Sequence, residues 1–336
     1  MSKGARVCPL CEEETDAEVC EEHNCPTVEC SLFEEQEEAL ELGAVIAKRF
    51  EIVKLLGKGA MGSVFLGKQL SMSRQVAIKT LQHGLVKDQS MVRRFYLEAR
   101  AASQLSHPNI VKIYDFGVDD DTKIPYIAME FIDGGTLDEH LPLGQGMPEL
   151  EACRLLSQVA RALVEAHDKG LVHRDLKPDN IYVRVLSDGE EQVKVLDFGI
   201  AKVVRGGTDS MRDLTQTGMT LGTPAFMAPE QIRAEEVDFR ADLYSLGCIL
   251  HQLLTGGGPF SGTEYLSIML RHLNDPVPGL PQALVDGAAP SEGIRQLHAA
   301  LLQKLPKDRP ASTAGVAKAF KLLARGETYD AATVLG

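Results

Sequence analysis

The segment that most restricts this chain is Gly57-Lys-Gly-Ala-Met-Gly62, because of what flanks it. Glu51-Ile-Val-Lys-Leu-Leu56 precedes it and Ser63-Val-Phe-Leu66 follows. Both are short runs rich in β-branched, aliphatic and aromatic residues, which predicts two antiparallel strands. A dinucleotide-binding turn needs a helix after its glycines, and a phosphate-loop NTPase closes with Gly-Lys-Ser/Thr. This sequence has neither, so its glycines form a hairpin whose backbone N–H groups are suited to folding over phosphates. Gln75-Val-Ala-Ile-Lys79 reads as a third strand, with a lysine ending a hydrophobic run.

A helix is predicted from about Ser90 to Leu105, stopped before His107-Pro108. At helical spacing Glu98 shares a face with Met91, Phe95, Ala102 and Leu105. A carboxylate within an apolar stripe is costly unless paired, and Lys79 is the nearest basic residue that also has an apolar setting. Two strands follow, ending near Tyr126-Ile-Ala-Met-Glu-Phe131, and Asp133-Gly134-Gly135 breaks the pattern. Helical periodicity then dominates. Residues 149–169 place Leu155, Leu156, Val159, Leu163 and Ala166 on one side, with Gly170 as the C-terminal cap. The outline is α+β: a smaller β-rich lobe, then a larger α-rich one.

His173-Arg-Asp-Leu-Lys-Pro-Asp-Asn180 packs polar and ionisable residues between two apolar segments. Ile181–Leu186 and Gln192–Leu196 read as a hairpin around Asp188-Gly189. A symmetric pairing sets Asn180 opposite Asp197, an amide and a carboxylate whose oxygens suit Mg²⁺. Asp175 is a separate carboxylate near the same place and a candidate proton acceptor.

Together these pieces resemble the eukaryotic-type (Hanks-type) serine/threonine protein kinases, the bacterial branch most closely. The resemblance runs from about Phe50 to Leu323 and includes His107-Pro-Asn-Ile, Asp197-Phe-Gly199, Gly222-Thr-Pro-Ala-Phe-Met-Ala-Pro-Glu230, Asp242-Leu-Tyr-Ser-Leu-Gly247 and Arg309. It implies a bilobal kinase fold over residues 44–330, with the smaller lobe at about 50–132 and the larger at about 133–330. It also implies transfer of the γ-phosphoryl of ATP to Ser/Thr hydroxyls of protein substrates. By the same resemblance, Lys79 holds the α- and β-phosphates and is held by Glu98. Leu56, Gly57, Lys58, Gly59, Ala60, Met61, Gly62, Ser63, Val64 and Ala77 line the nucleotide, Met129 is the gatekeeper, and the backbone of Glu130 to Ile132 meets adenine. Asn180 and Asp197 bind Mg²⁺ or Mn²⁺, Asp175 orients the substrate hydroxyl and receives its proton, and Lys177 neutralises the phosphoryl in transit. Glu230 with Arg309 and Asp242 are structural. Thr215 and Thr217 are the expected autophosphorylation sites, with a homodimer as the arrangement for that reaction. A pseudokinase would have lost Lys79, Asp175, Asn180 or Asp197, and all four are here.

Residues 1–43 differ from the rest. They hold two basic and thirteen acidic residues, a net of −11, leaving −2 of the total −13 for the remaining chain. A nearly neutral body with an acidic appendage argues against nucleic-acid binding, which needs a basic face. No apolar run approaches the ~18 residues of a membrane span, and no signal-peptide pattern is seen, so a cytoplasmic protein is expected. Five of the seven cysteines crowd this segment. Cys8-Pro-Leu-Cys11 and Cys20-Glu-Glu-His23 are ligand pairs at two-residue spacing, suited to one tetrahedral Zn²⁺, with Cys25 and Cys30 as replacement ligands. The segment resembles small zinc ribbons that precede some bacterial kinases and is a candidate partner-binding element. Glu34–Glu41 reads as a solvated linker or short helix.

Overall fold

Alternation within Arg74–Leu81 organises the first half of the molecule: Val76 and Ile78 are fully buried on one face, while Ala77 and Lys79 take the other. The computed structural model describes residues 6–8, 14–15, 17, 19–20, 25–29, 40–59, 62–86, 88–141, 144–198, 224–262 and 264–336. The chain divides into two compact units, residues 1–104 with 111–132, and residues 105–110 with 133–336.

The first unit is built on a six-stranded antiparallel sheet. In chain order its strands are β1 (Val45–Ile46), β2 (Phe50–Lys58), β3 (Gly62–Gln69), β4 (Arg74–Leu81), β5 (Ile113–Val118) and β6 (Pro125–Glu130). Their order across the sheet is β5-β6-β4-β3-β2-β1. Phe50, Ile52, Phe65, Val76, Ile78, Tyr126 and Ala128 form an apolar core. Helix α1 (Gln89–Ser103) buries Met91, Val92, Phe95, Ala99 and Ala102. It ends two residues before Leu105, which was expected on its face; Leu105 instead joins the core of the second unit. Among the amino-terminal residues, Arg6–Val7 pairs with both Glu14–Thr15 and Val28–Glu29, and Val19–Cys20 pairs with Cys25–Pro26.

In the second unit β7 (Gly135–Thr136), α2 (Leu137–His140), α3 (Glu149–Asp168), β8 (Ile181–Val185), β9 (Glu191–Val195), α4 (Arg240–Thr255), α5 (Tyr265–Asn274), α6 (Glu292–Leu301) and α7 (Thr313–Leu323) follow one another. Helix α3 has Leu155, Leu156, Val159, Leu163 and Ala166 wholly buried, as its periodicity predicts. It stops at Gly170, whose φ of 73° is the left-handed conformation. Gly170 N–H donates to His167 O and Leu171 N–H to Ala166 O, the paired bonds of a Schellman cap. Helix α4 is apolar nearly all round and is accordingly buried on every side.

The β8–β9 hairpin departs from expectation by one residue. Ile181 lies opposite Val195 and Tyr182 opposite Lys194, so Asn180 faces Leu196 rather than Asp197. The turn is the cause. Leu186 N–H donates to Glu190 O, enclosing three residues, with Gly189 at φ 84° and Glu190 N–H bonded to Asp188 Oδ1. A three-residue loop with a left-handed glycine replaces the two-residue turn that Asp188-Gly189 suggests. Among the described residues, no helix is long and apolar enough to cross a membrane.

Candidate active site

In the sheet unit the candidate nucleotide residues are placed by strand register. Directly paired residues share a face, and Lys79 pairs with Val64 on one side and Ile127 on the other. Ala77 pairs with Leu66 and Met129. Val64, Ala77, Lys79 and Met129 therefore stand on one face of the sheet. Glu98 projects from α1 to within 3.7 Å of Lys79 Nζ, with 13% of its side chain exposed and 16% of the lysine's. That is ion-pair range, although longer than a hydrogen bond.

The glycine turn keeps its ladder: Gly57 pairs with Val64, Lys58 with Ser63, and Gly59 N–H donates to Gly62 O at 2.8 Å. Gly62 is required sterically, because a Cβ there would collide with the Thr80 carbonyl of β4. Leu56 is exposed, and Ala60 and Met61 lie outside the described residues. At the end of β6, Met129 and Ile132 are buried. Glu130 N–H donates to Lys112 O at 2.8 Å.

In the helical unit a single loop gathers Asp175, Lys177 and Asn180. Lys177 Nζ is 3.8 Å from Asp175 Oδ2. Asn180 Nδ2 donates to Asp175 O at 2.8 Å, with the carboxylate Oδ2 at 3.5 Å. Pro178–Asn180 forms a 3₁₀ turn, with proline where a missing N–H costs nothing. Asp175 borders a crevice whose walls include Leu176, Lys177, Phe226 and Met227. Asp197 follows Leu196, whose N–H donates to Asn180 O. Asp197 and Arg174 have φ values of 51° and 62°, sparsely populated conformations for residues with a side chain. Such strain persists only where surroundings enforce it.

The surroundings here are buried polar groups. Asp242, wholly buried on α4, accepts the backbone N–H of His173 at 2.7 Å and of Arg174 at 2.8 Å. It also receives His167 Nε2 at 2.8 Å, while His167 Nδ1 meets Thr313 Oγ1 at 2.7 Å. Burial acts to raise the Asp242 pKa, but hydrogen bonding from His167 and the His173 N–H outweighs it, and the net direction is down. His173 is itself buried: its Nδ1 accepts Asp175 N–H at 3.3 Å and its Nε2 donates to Leu196 O at 2.9 Å. Those partners tie the Asp175 and Asp197 segments through one ring. Gln231 Nε2 donates to Arg174 O at 2.8 Å, and burial lowers the Arg174 pKa. His167 was missed in the sequence, although it falls four residues after Leu163 on the apolar stripe of α3. Its polar ring on that stripe was the available signal.

Glu230 and Arg309 form a bidentate pair at 2.6 and 2.8 Å. Of the amino-terminal ligand candidates, Cys8 and Cys20 are buried. Cys11, His23, Cys30 and residues 34–39 lie outside the described residues, as do Gly199, Thr215, Thr217 and Thr223.

Comparison with known proteins agrees with this arrangement. Residues 50–321 match the protein kinase domain family. The chain is 42% identical over 280 residues to the serine/threonine-protein kinase pkn3 of Myxococcus xanthus, covering 83% of this chain and 50% of that one. It is 36% identical over 293 residues to the serine/threonine-protein kinase PknB of Mycobacterium tuberculosis, covering 86% and 45%. The chain thus spans half or less of the length of these relatives. The crystal structure of the Mycobacterium tuberculosis PknI kinase domain superimposes with a TM-score of 0.61 at 27% identity, over 85% of this chain and all of that one. The chain belongs to the protein kinase family, and its β-rich and helical units are the two lobes of that fold.

Proposed function

We propose that this protein is an ATP-dependent serine/threonine protein kinase. The observation that carries the reading is the Asp175–Lys177–Asn180 constellation, braced from beneath by Asp242. Asp175 orients a substrate hydroxyl and accepts its proton, and Lys177 offsets charge on the phosphoryl group between donor and acceptor. On the sheet unit, Lys79 holds the α- and β-phosphates with Glu98 as its counter-ion. Leu56, Val64, Ala77 and Met129 enclose the base, and the glycine turn covers the phosphates. Glu130 N–H is already bonded to Lys112 O, so the backbone donor to the purine edge comes from a later residue of 130–132.

The donor set fits a hard divalent cation. With Nδ2 of Asn180 committed to Asp175 O, its remaining oxygen is an acceptor, and Asp197 adds a carboxylate. Mg²⁺ or Mn²⁺ bound there supplies charge neutralisation on the phosphates.

Residues 44–330 constitute the kinase domain and residues 1–43 an appendage. Buried Cys8 and Cys20 support zinc binding there, with Cys11 and His23 completing the site or Cys25 or Cys30 replacing one ligand. That appendage also serves as the surface for a partner. Thr215 and Thr217 are the sites of autophosphorylation between two copies, after which a phosphothreonine pairs with Arg174. The protein works in the cytoplasm on other proteins.

The deciding experiment is Asp175→Asn with Mg²⁺-ATP and a generic protein substrate. Transfer falls by about 10²–10⁴-fold while nucleotide binding, read by calorimetry, stays within about twofold. Near-native turnover in Asp175→Asn rejects the assignment.

A further inference from the structure

Away from the transfer loop, His140, Glu151 and Glu191 converge from three separate elements. One donor atom of each lies within 4.8 Å of the other two, and His140 Nε2 is 2.8 Å from Glu191 Oε1. We propose that these three residues bind a divalent transition ion of the zinc class, independently of the cation used in phosphoryl transfer and of the cysteine-rich appendage.

The convergence is built by the backbone. His140 ends α2, a short helix begun by a reciprocal cap in which Thr136 Oγ1 accepts Glu139 N–H and Glu139 accepts Thr136 N–H. Glu151 stands in the first turn of α3. Glu191 opens β9, and its carbonyl accepts Gln158 Nε2 at 2.9 Å. The other end of that amide accepts Val193 N–H at 3.0 Å and Asn109 Nδ2 at 2.8 Å. Gln158 lies seven residues after Glu151, about two turns along the same face of α3. The amide that moors β9 and the carboxylate of Glu151 thus share one helix face, which brings Glu191 beside Glu151.

The charges then call for a cation. The carboxylates of Glu151 and Glu191 stand close enough to share one ion with the imidazole of His140. Among the described residues neither forms an ion pair with lysine or arginine; the imidazole of His140 is their neighbour. An imidazole nitrogen with two carboxylate oxygens is a donor set for zinc-class ions, with coordination positions left for water. Donors about 2.1 Å from a tetrahedral ion stand about 3.4 Å apart, so side-chain rotation closes the observed spacing. Exposures of 27% for His140 and 29% for Glu191 leave room for ion entry and water ligands. Glu191 is at the turn end of the hairpin and Leu196 at the other. Five strand residues put the ion about 17 Å from the Asn180 end. It would tie α2, α3 and β9 together without touching the transferring groups.

The test uses the full chain, stripped with chelator and titrated with Zn²⁺ by calorimetry. Wild type binds one more ion than His140→Ala, and Cys8→Ser retains the ion that His140→Ala loses. At a hundredfold excess of Zn²⁺ over its Kd, the wild-type melting temperature rises by about 5 °C more than that of His140→Ala. Glu191→Gln, which keeps the backbone bond to Gln158, loses the same ion and serves as the second variant. Melting in chelator confirms that each variant is folded, and phosphoryl transfer by His140→Ala with Mg²⁺-ATP is unchanged. Equal zinc stoichiometry and equal thermal response in wild type, His140→Ala and Glu191→Gln overturn the proposal.

Discussion

In the sheet unit Lys79 stands 3.7 Å from Glu98, each side chain partly open to solvent; in the helical unit Arg309 grips Glu230 at 2.6 and 2.8 Å, with 0% and 2% exposed. The guanidinium of Arg309 has five N–H groups, and its three nitrogens also reach the carbonyls of Arg240, Gln303 and Lys304. Tyr244 lies beneath the guanidinium, its ring centroid 4.8 Å from Cζ. Every donor has its acceptor, so one arrangement is strongly preferred. Lys79 and Glu98 meet beyond hydrogen-bond length. A saturated ion pair holds architecture, whereas a loose one suits a charge that has to be shared with a ligand.

The largest effect comes from breaking the saturated pair. Arg309→Ala leaves Glu230 buried without its counter-charge, and stability falls by about 3–5 kcal/mol. Arg309→Lys recovers only part of this, since an ammonium lacks the bidentate fork. Urea denaturation followed by circular dichroism measures both. A loss below about 1 kcal/mol for Arg309→Ala would mean that the pair does not secure the helical unit.

Buried rings of the same unit give the next effect. His251 and His298 share a hydrogen bond of 2.9 Å, and Tyr244 Oη meets His272 Nδ1 at 2.9 Å. Burial lowers the pKa of all three rings from 6.5 to about 4. Between those values the unfolded rings bind protons that the folded rings refuse, so stability is full above pH 6.5 and drains as pH falls toward 4. His251 and His298 share a hydrogen bond and titrate as one unit, so their contributions do not add independently. Urea midpoints from pH 7 to 5 should fall steeply in wild type and less steeply in a folded His251→Gln/His298→Gln variant. An unchanged slope in that variant would remove these rings as the cause.

What the sequence disclosed follows the same division. Strands, helix α3 and the Lys79–Glu98 pairing rest on local periodicity, which survives in a one-dimensional reading. The hairpin register did not, because Asp188-Gly189 looks like a complete two-residue turn and only the fold shows Ser187 joining it. Leu105 keeps helical spacing with Glu98, yet the helix ends at Ser103 and the next unit's core takes the leucine. His167 sits on a stripe defined by its apolar members, and nothing local marks its ring as the partner of Asp242. His140, Glu151 and Glu191 are separated by turns and strands whose convergence no local pattern encodes.

The smallest effect on stability belongs to the loose pair, and this sharpens the comparison most. Lys79→Met keeps the length of the side chain and its apolar stem while removing the charge. Glu98 keeps 13% of its side chain exposed, against 2% for Glu230, so the stability cost is smaller than the ~3–5 kcal/mol of Arg309→Ala. Under the proposed function turnover responds differently: a cation that holds phosphates is worth more in the transfer step than in folding, and turnover with Mg²⁺-ATP falls by about 10²-fold or more. Unfolding and initial rates are measured on the same preparation. A Lys79→Met protein destabilised as much as Arg309→Ala would show that both pairs serve architecture. A Lys79→Met protein with native stability and native turnover would show that Lys79 serves neither. Native-like stability with lost turnover is the result that keeps the two kinds of ion pair distinct.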